Sequence, residues 1–196
     1  ANPEEVRKAM EDLQKAEQDI SENIDRALEL FKRVKIEQQM AEVVKRINDL
    51  AERQQDVASK ADSSSADRNA LSQEEKMAAD EYDIAEKRME DLANSMEEFP
   101  VMPSEDMQQA LTQAQMDSIA SQMRQAEQSF RQGQMQQGQQ QARQSGQNLQ
   151  NLAQQLKQTQ QKLQQQTMNE IMEEFRAVLR NVLSLSQQQE GLQRRT

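Results

Sequence analysis

The chain has 196 residues and a net charge of −10, with 30% charged, 35% hydrophobic and only 3% aromatic residues. So little apolar material argues against an ordinary compact globule, whose core has to offset a large loss of chain entropy. Cysteine and histidine are both missing, which excludes disulfides, thiolate nucleophiles and Cys-based zinc sites, and removes the commonest general base and transition-metal ligand.

The abundant polar residues are Gln, Glu, Lys and Arg, all good helix formers, while Gly and Pro number four and three. That composition predicts an all-α protein of long helices sharing a narrow apolar seam. Asn2-Pro3-Glu4-Glu5 reads as a helix start, with a capping amide, Pro at the first helical position and acids in the first turn. Val6, Met10, Leu13, Ile20, Ile24, Ala27, Phe31 and Val34 then follow at spacings of three and four. After a small phase shift, Ile36, Met40, Val43, Ile47, Leu50 and Val57 keep heptad spacing, with Gln54 in the same seam. This predicts one helix over about 3–61.

Asp62-Ser63-Ser64-Ser65 reads as a loop. Ser72-Gln73-Glu74-Glu75 has the form of a capping box and predicts a second helix over about 73–99. Tyr82, Met89 and Met96 form one row along it, and Ala78, Ala85, Leu92 and Phe99 another. Pro100 and Pro103 close it. A third helix is predicted over about 104–132, carrying Met107, Leu111, Met116, Ile119, Met123, Ala126 and Phe130, with a turn at Gly133. A fourth, over about 135–194, places Ala142, Gly146, Leu149, Ala153, Leu156, Gln160 and Leu163 in its seam. Its heptad continues through Ile171, Phe175, Val178, Val182 and Leu185. Whether it breaks near Thr167 is left open. The start at Ala1 and a heptad still running at Thr196 predict a segment of a longer chain. An offset of 135 residues pairs Ile36 with Ile171, Gln54 with Gln189 and Val57 with Leu192, the signature of an internal repeat.

Leu50-Ala51-Glu52-Arg53-Gln54-Gln55-Asp56-Val57, its echo Leu185-Ser186-Gln187-Gln188-Gln189-Glu190-Gly191-Leu192, and the Ala126…Phe130-Arg131-Gln132-Gly133 hairpin resemble segments of large bacterial envelope proteins. Those are membrane-anchored proteins of unknown function with long Gln-rich coiled-coil regions outside the membrane. The resemblance implies a periplasmic or envelope location, with the cytoplasm as the alternative. No apolar run here approaches the ~20 residues of a membrane span, so direct membrane insertion is not expected.

The motifs that carry chemistry in other proteins are incomplete. Gly133 and Gly138 have the glycine spacing of a phosphate loop, without the Lys and Ser/Thr that contact the phosphates and magnesium. Residues 62–73 have the length of a calcium loop, but Asp67 stands where Gly is needed and Gln73 replaces the bidentate Glu. Met89, Met96, Met107, Met116 and Met123 sit on the predicted seams, so the methionines read as core filler rather than soft-metal ligands. Residues 1–103 hold 26 acids and 15 bases, a net −11, whereas 104–196 hold 8 and 9, a net +1. The bases Arg131, Arg143, Lys157 and Lys162 are too sparse, and aromatics too few, for a nucleic-acid surface.

The expectation is therefore one elongated antiparallel bundle over 1–196, with helices in the order long, short, short, long, that is not an enzyme and needs no metal or cofactor. Its function is expected to be a scaffold or spacer mediating helix–helix protein interactions, by self-association or with other helical segments. A helical sensory or ligand-binding domain and a groove-bearing adaptor are the alternatives. The predicted packing seam is Ile36, Met40, Val43, Ile47, Leu50, Val57, Met89, Leu92, Met96, Leu149, Leu156, Leu163, Ile171, Phe175, Val178, Val182 and Leu185.

Overall fold

The structure is a computed structural model that describes residues 3–63 and 66–193, with 5, 9, 12, 16, 174 and 177–193 described by backbone alone. Among these residues there is no strand; the helices are α1 (Pro3–Ala61), α2 (Arg68–Glu97), α3 (Ser104–Met116), α4 (Ile119–Arg131) and α5 (Met135–Gln193). The chain divides into two compact units, Ala1–Gln38 and Gln39–Thr196.

The second unit is an antiparallel helical bundle. Its legs are the C-terminal part of α1, then α2, then α3 with α4, then the first part of α5. The order of cross-helix pairs fixes the directions. Along α1 and α2, Arg53 meets Glu81 while Lys60 meets Glu74. Along the third leg and α5, Asp106 meets Lys162 while Ser129 meets Gln141. Gln139 Nε2 donates to the Ala58 carbonyl at 2.9 Å, so α5 also lies against α1 and closes the ring of four legs. At one end of the unit, Val57, Ala58, Leu71, Ala126, Phe130 and Ala142 form a buried cluster to which every leg contributes.

Two boundaries differ from the sequence expectation. Helix α2 starts at Arg68 rather than 73, because the Asp67 carboxylate accepts from the Asn69 and Ala70 backbone N–H groups and caps the helix five residues earlier. The expected capping box is thus inside the helix, and both Ser72 and Glu75 are buried. The third helix is two helices. Ser118, at φ 52°, adopts a left-handed conformation and breaks the leg between α3 and α4. The buried rows on either side of the break, Met107, Leu111, Ala114 and Ile119, Met123, Ala126, Phe130, are two residues out of heptad step, since Ala114 and Ile119 are five residues apart where like positions are seven apart. The left-handed residue lies within that slip. Met116, expected in the seam, is exposed as a result. The fourth helix, α5, is continuous through Thr167.

The turn at Gly133 is where the sequence put it. Gln134 N–H donates to the Ser129 carbonyl at 2.8 Å and Gly133 N–H to Phe130 at 2.9 Å, the two bonds of a Schellman cap, with Gly133 at φ 78°. One turn into α5, a Cβ on Gly138 would stand 2.6 Å from the Phe130 ring, so only glycine lets the helix lie this close.

Candidate functional site

Ile36, Met40, Val43, Ile47, Leu50, Val57, Met89, Leu92, Met96, Leu149, Leu156 and Leu163 are all buried. Two members of the expected seam are not: Ile171 and Phe175, farther along α5 than Leu163, are 47% and 57% exposed. Val178, Val182 and Leu185 belong to α5, but their side chains lie outside the described residues, as does the Gln189 echo of Gln54. The N-terminal stripe of α1 behaves like Ile171 and Phe175: Val6, Met10, Leu13, Ile20, Ile24, Phe31 and Val34 are all exposed.

The most distinctive polar feature of the core is a three-helix chain of hydrogen bonds. Gln54 of α1 is fully buried in its heptad slot, with Glu75 of α2 and Ser145 of α5 beside it. Gln54 Nε2 donates to Glu75 Oε2 at 3.0 Å, and Ser145 Oγ donates to Gln54 Oε1 at 2.7 Å. Gly146 completes the contact, since a Cβ there would come within 3.2 Å of Gln54 Cβ. The second carboxylate oxygen of Glu75 has no protein partner. Burial pushes the Glu75 carboxyl up to about 7; the Gln54 bond opposes this, and the Glu74 and Glu127 charges add to it. The sequence placed Gln54 in the seam but mistook Glu75 for a cap residue. The signal that identifies Glu75 is its own heptad step, between Leu71 and Ala78, in the row that continues to Tyr82 and Ala85.

This cluster combines an amide, a hydroxyl and a carboxyl in a packed seam, and among the described residues no group of three carboxylates converges on a metal position. Tyr82 is similar: its hydroxyl is buried without a protein partner, and burial followed by the Glu86, Asp117 and Asp83 charges holds it above the usual phenol value.

A groove of about 710 Å³ lies between α3 and α5, lined by Glu105, Asp106, Gln109, Thr112, Gln155 and Lys162 among others. Lys162 Nζ donates to both Asp106 oxygens, at 2.9 and 2.8 Å, so these two charges of the groove are paired with each other. Further pairs along the outer edges, Arg88 with Glu42 and Arg124 with Asp83, tie neighbouring helices together. Among the described residues, no helix is long and apolar enough to cross a membrane. The chain matches no protein-family model, no curated protein and no solved structure.

Proposed function

We propose that this chain is a non-catalytic structural segment, a scaffold or spacer that mediates helix–helix protein interactions within a larger bacterial assembly. The observation that carries this reading is the contrast along the two 59-residue helices. Each has a stretch with buried seam residues, 36–57 in α1 and 142–163 in α5. Each also has a stretch with exposed apolar residues, 6–34 and 168–175. Exposed apolar rows of this length are typical of protein–protein contact surfaces. The resemblance to membrane-anchored envelope proteins supports a place at the cell envelope, with the cytoplasm as the alternative.

A helical sensory or ligand-binding domain is the second reading, and the observation favouring it is the polar groove between α3 and α5. A thermal-shift screen separates the two. A ligand that binds the folded state at a hundredfold excess over its dissociation constant adds ~2.7 kcal/mol of stability. The scaffold reading expects no melting increase with calcium, copper, nucleotides or small organic anions. A clear increase with any of them overturns it in favour of the sensory reading, and Lys162→Ala then locates the groove as the site if it removes the shift.

A further inference from the structure

The buried core of the second unit is interrupted at one level by polar side chains. Val57, Ala58, Leu71, Ala126, Phe130 and Ala142 form a cluster of their own at one end. Leu50 of α1, Ala78 of α2, Met123 of α4 and Leu149 of α5 are buried but lie outside it. On α1, α2 and α5 the seam position between is polar: Gln54, Glu75 and Ser145, each fully buried. Apolar packing that breaks at one level lets the end of a bundle open without unfolding the rest. The legs are not tied equally across this level. Helix α5 is bonded to α1 from Ser145 to Gln54 and from Gln139 to the Ala58 carbonyl, and to α4 from Ser129 to Gln141. The first two turns of α2, residues 68–75, are held by the Gln54 bond to Glu75 and by the exposed pair of Lys60 with Glu74. An exposed ion pair contributes little. Docking of this segment therefore rests on Leu71 and Glu75, which are four residues apart and share the buried face.

Glu75 fits its place only as a neutral carboxyl. One oxygen accepts from an uncharged amide and the other has no protein partner. The charges that act on it are acids, Glu74 on its own helix and Glu127 on α4. The bases of the neighbouring turns are engaged elsewhere or exposed. Arg53 of α1 pairs with Glu81 and Lys60 with Glu74, while Arg68, Lys76 and Arg143 are exposed. Helix α5 reaches this level with the uncharged Ser145. A carboxylate buried without a cation costs far more than a buried neutral carboxyl. When the proton passes to water, the charge left behind regains its hydration if 68–75 swings out, and Leu71 leaves its cluster with it.

We propose that residues 68–75 of α2 are a proton-controlled latch, docked in the bundle while Glu75 is protonated and released locally when Glu75 ionises. The latch goes beyond the scaffold reading and does not depend on it.

Native-state hydrogen exchange on the full chain, corrected for the intrinsic rate at each pH, provides the test. The amides of residues 72–76 should be about tenfold or more less protected than those of 85–96. Low urea should barely change them, because a local opening exposes little surface. Burial pushes the Glu75 carboxyl up to about 7 when docked, from 4.5 when free. The released state therefore gains as the pH rises, and protection of 72–76 should fall about fiftyfold between pH 5 and pH 7.5. Glu75→Gln cannot ionise and should hold that protection constant over the same range. Equal protection and equal urea dependence in the two stretches would make the opening global and overturn the latch. Low protection of 72–76 that ignores pH is ordinary fraying and overturns it too. So does a pH response that persists in Glu75→Gln. If Glu75→Gln does not melt cooperatively, Glu75→Leu, which also cannot ionise, replaces it under the same outcomes.

Discussion

Gln54 donates its carboxamide N–H to Glu75 across 3.0 Å, with both side chains fully buried and on different helices. The bond joins a residue in the α1 seam to one in the α2 seam, and Ser145 of α5 donates to the other end of the same amide. Buried amides in seams are known to fix register at some cost in stability. Here the amide connects three legs at one level of the bundle.

The pH dependence follows from the Glu75 carboxyl. Its value rises from 4.5 to about 7 on folding, mainly through burial, so the folded state holds the proton more tightly than the unfolded chain. The resulting stabilisation is complete below pH 4.5 and is lost as the pH rises through 7, an effect of up to about 3 kcal/mol. Denaturant melts of the chain and of Glu75→Gln between pH 4.5 and 8 should therefore diverge, with the substituted chain relatively more stable at the alkaline end. Glu86, also raised by burial and then by the Glu90 and Asp83 charges, titrates in both chains and drops out of the comparison.

Removing one member of the buried chain should cost more than removing two. Gln54→Leu leaves the Glu75 carboxyl and the Ser145 hydroxyl without their partner, a loss of about 1–3 kcal/mol. Gln54→Leu combined with Glu75→Leu should recover most of it, since replacing both partners by apolar groups of similar size is often near neutral. A double-mutant cycle at pH 7 measures the coupling. Additive losses would mean that the two side chains act independently.

Leu50→Ala empties a fully buried position and should destabilise by about 2–5 kcal/mol. Glu52→Ala, two residues away on the exposed side of α1, should stay within about 0.5 kcal/mol. Urea melts of the two variants make the comparison; similar losses would contradict the seam.

Two backbone positions should respond in opposite senses. Gly138→Ala gains about 1 kcal/mol of helix propensity but drives a methyl into the Phe130 ring, so a net loss of about 1–3 kcal/mol is expected. Ser118→Gly relieves a left-handed residue at φ 52° and should stabilise by about 0.5–1 kcal/mol. Thermal melts of the two variants should shift in opposite directions.

The helical class, α1 and the turn at Gly133 were legible in the sequence, because heptad spacing and glycine chemistry are local properties. So was the burial of twelve seam positions from Ile36 to Leu163. The same local reasoning failed at Ser72 and Glu75, where a valid capping pattern lost to Asp67, which stands five residues earlier. It failed at Met116 as well, since a two-residue phase slip in an apolar row does not say whether the helix drifts or breaks.

Heptad spacing alone determined that Val6 to Val34, Ile36 to Val57 and Ile171 to Leu185 each form an apolar row along a helix. Only the tertiary structure decided that the middle row is buried while Val6 to Val34, Ile171 and Phe175 are exposed. The reason is physical: periodicity records that a face is apolar, whereas burial depends on which other helices lie against it. The tertiary structure likewise decided the role of Glu75. A carboxylate in a heptad row reads as a flaw until the amide that bonds it is seen on another helix.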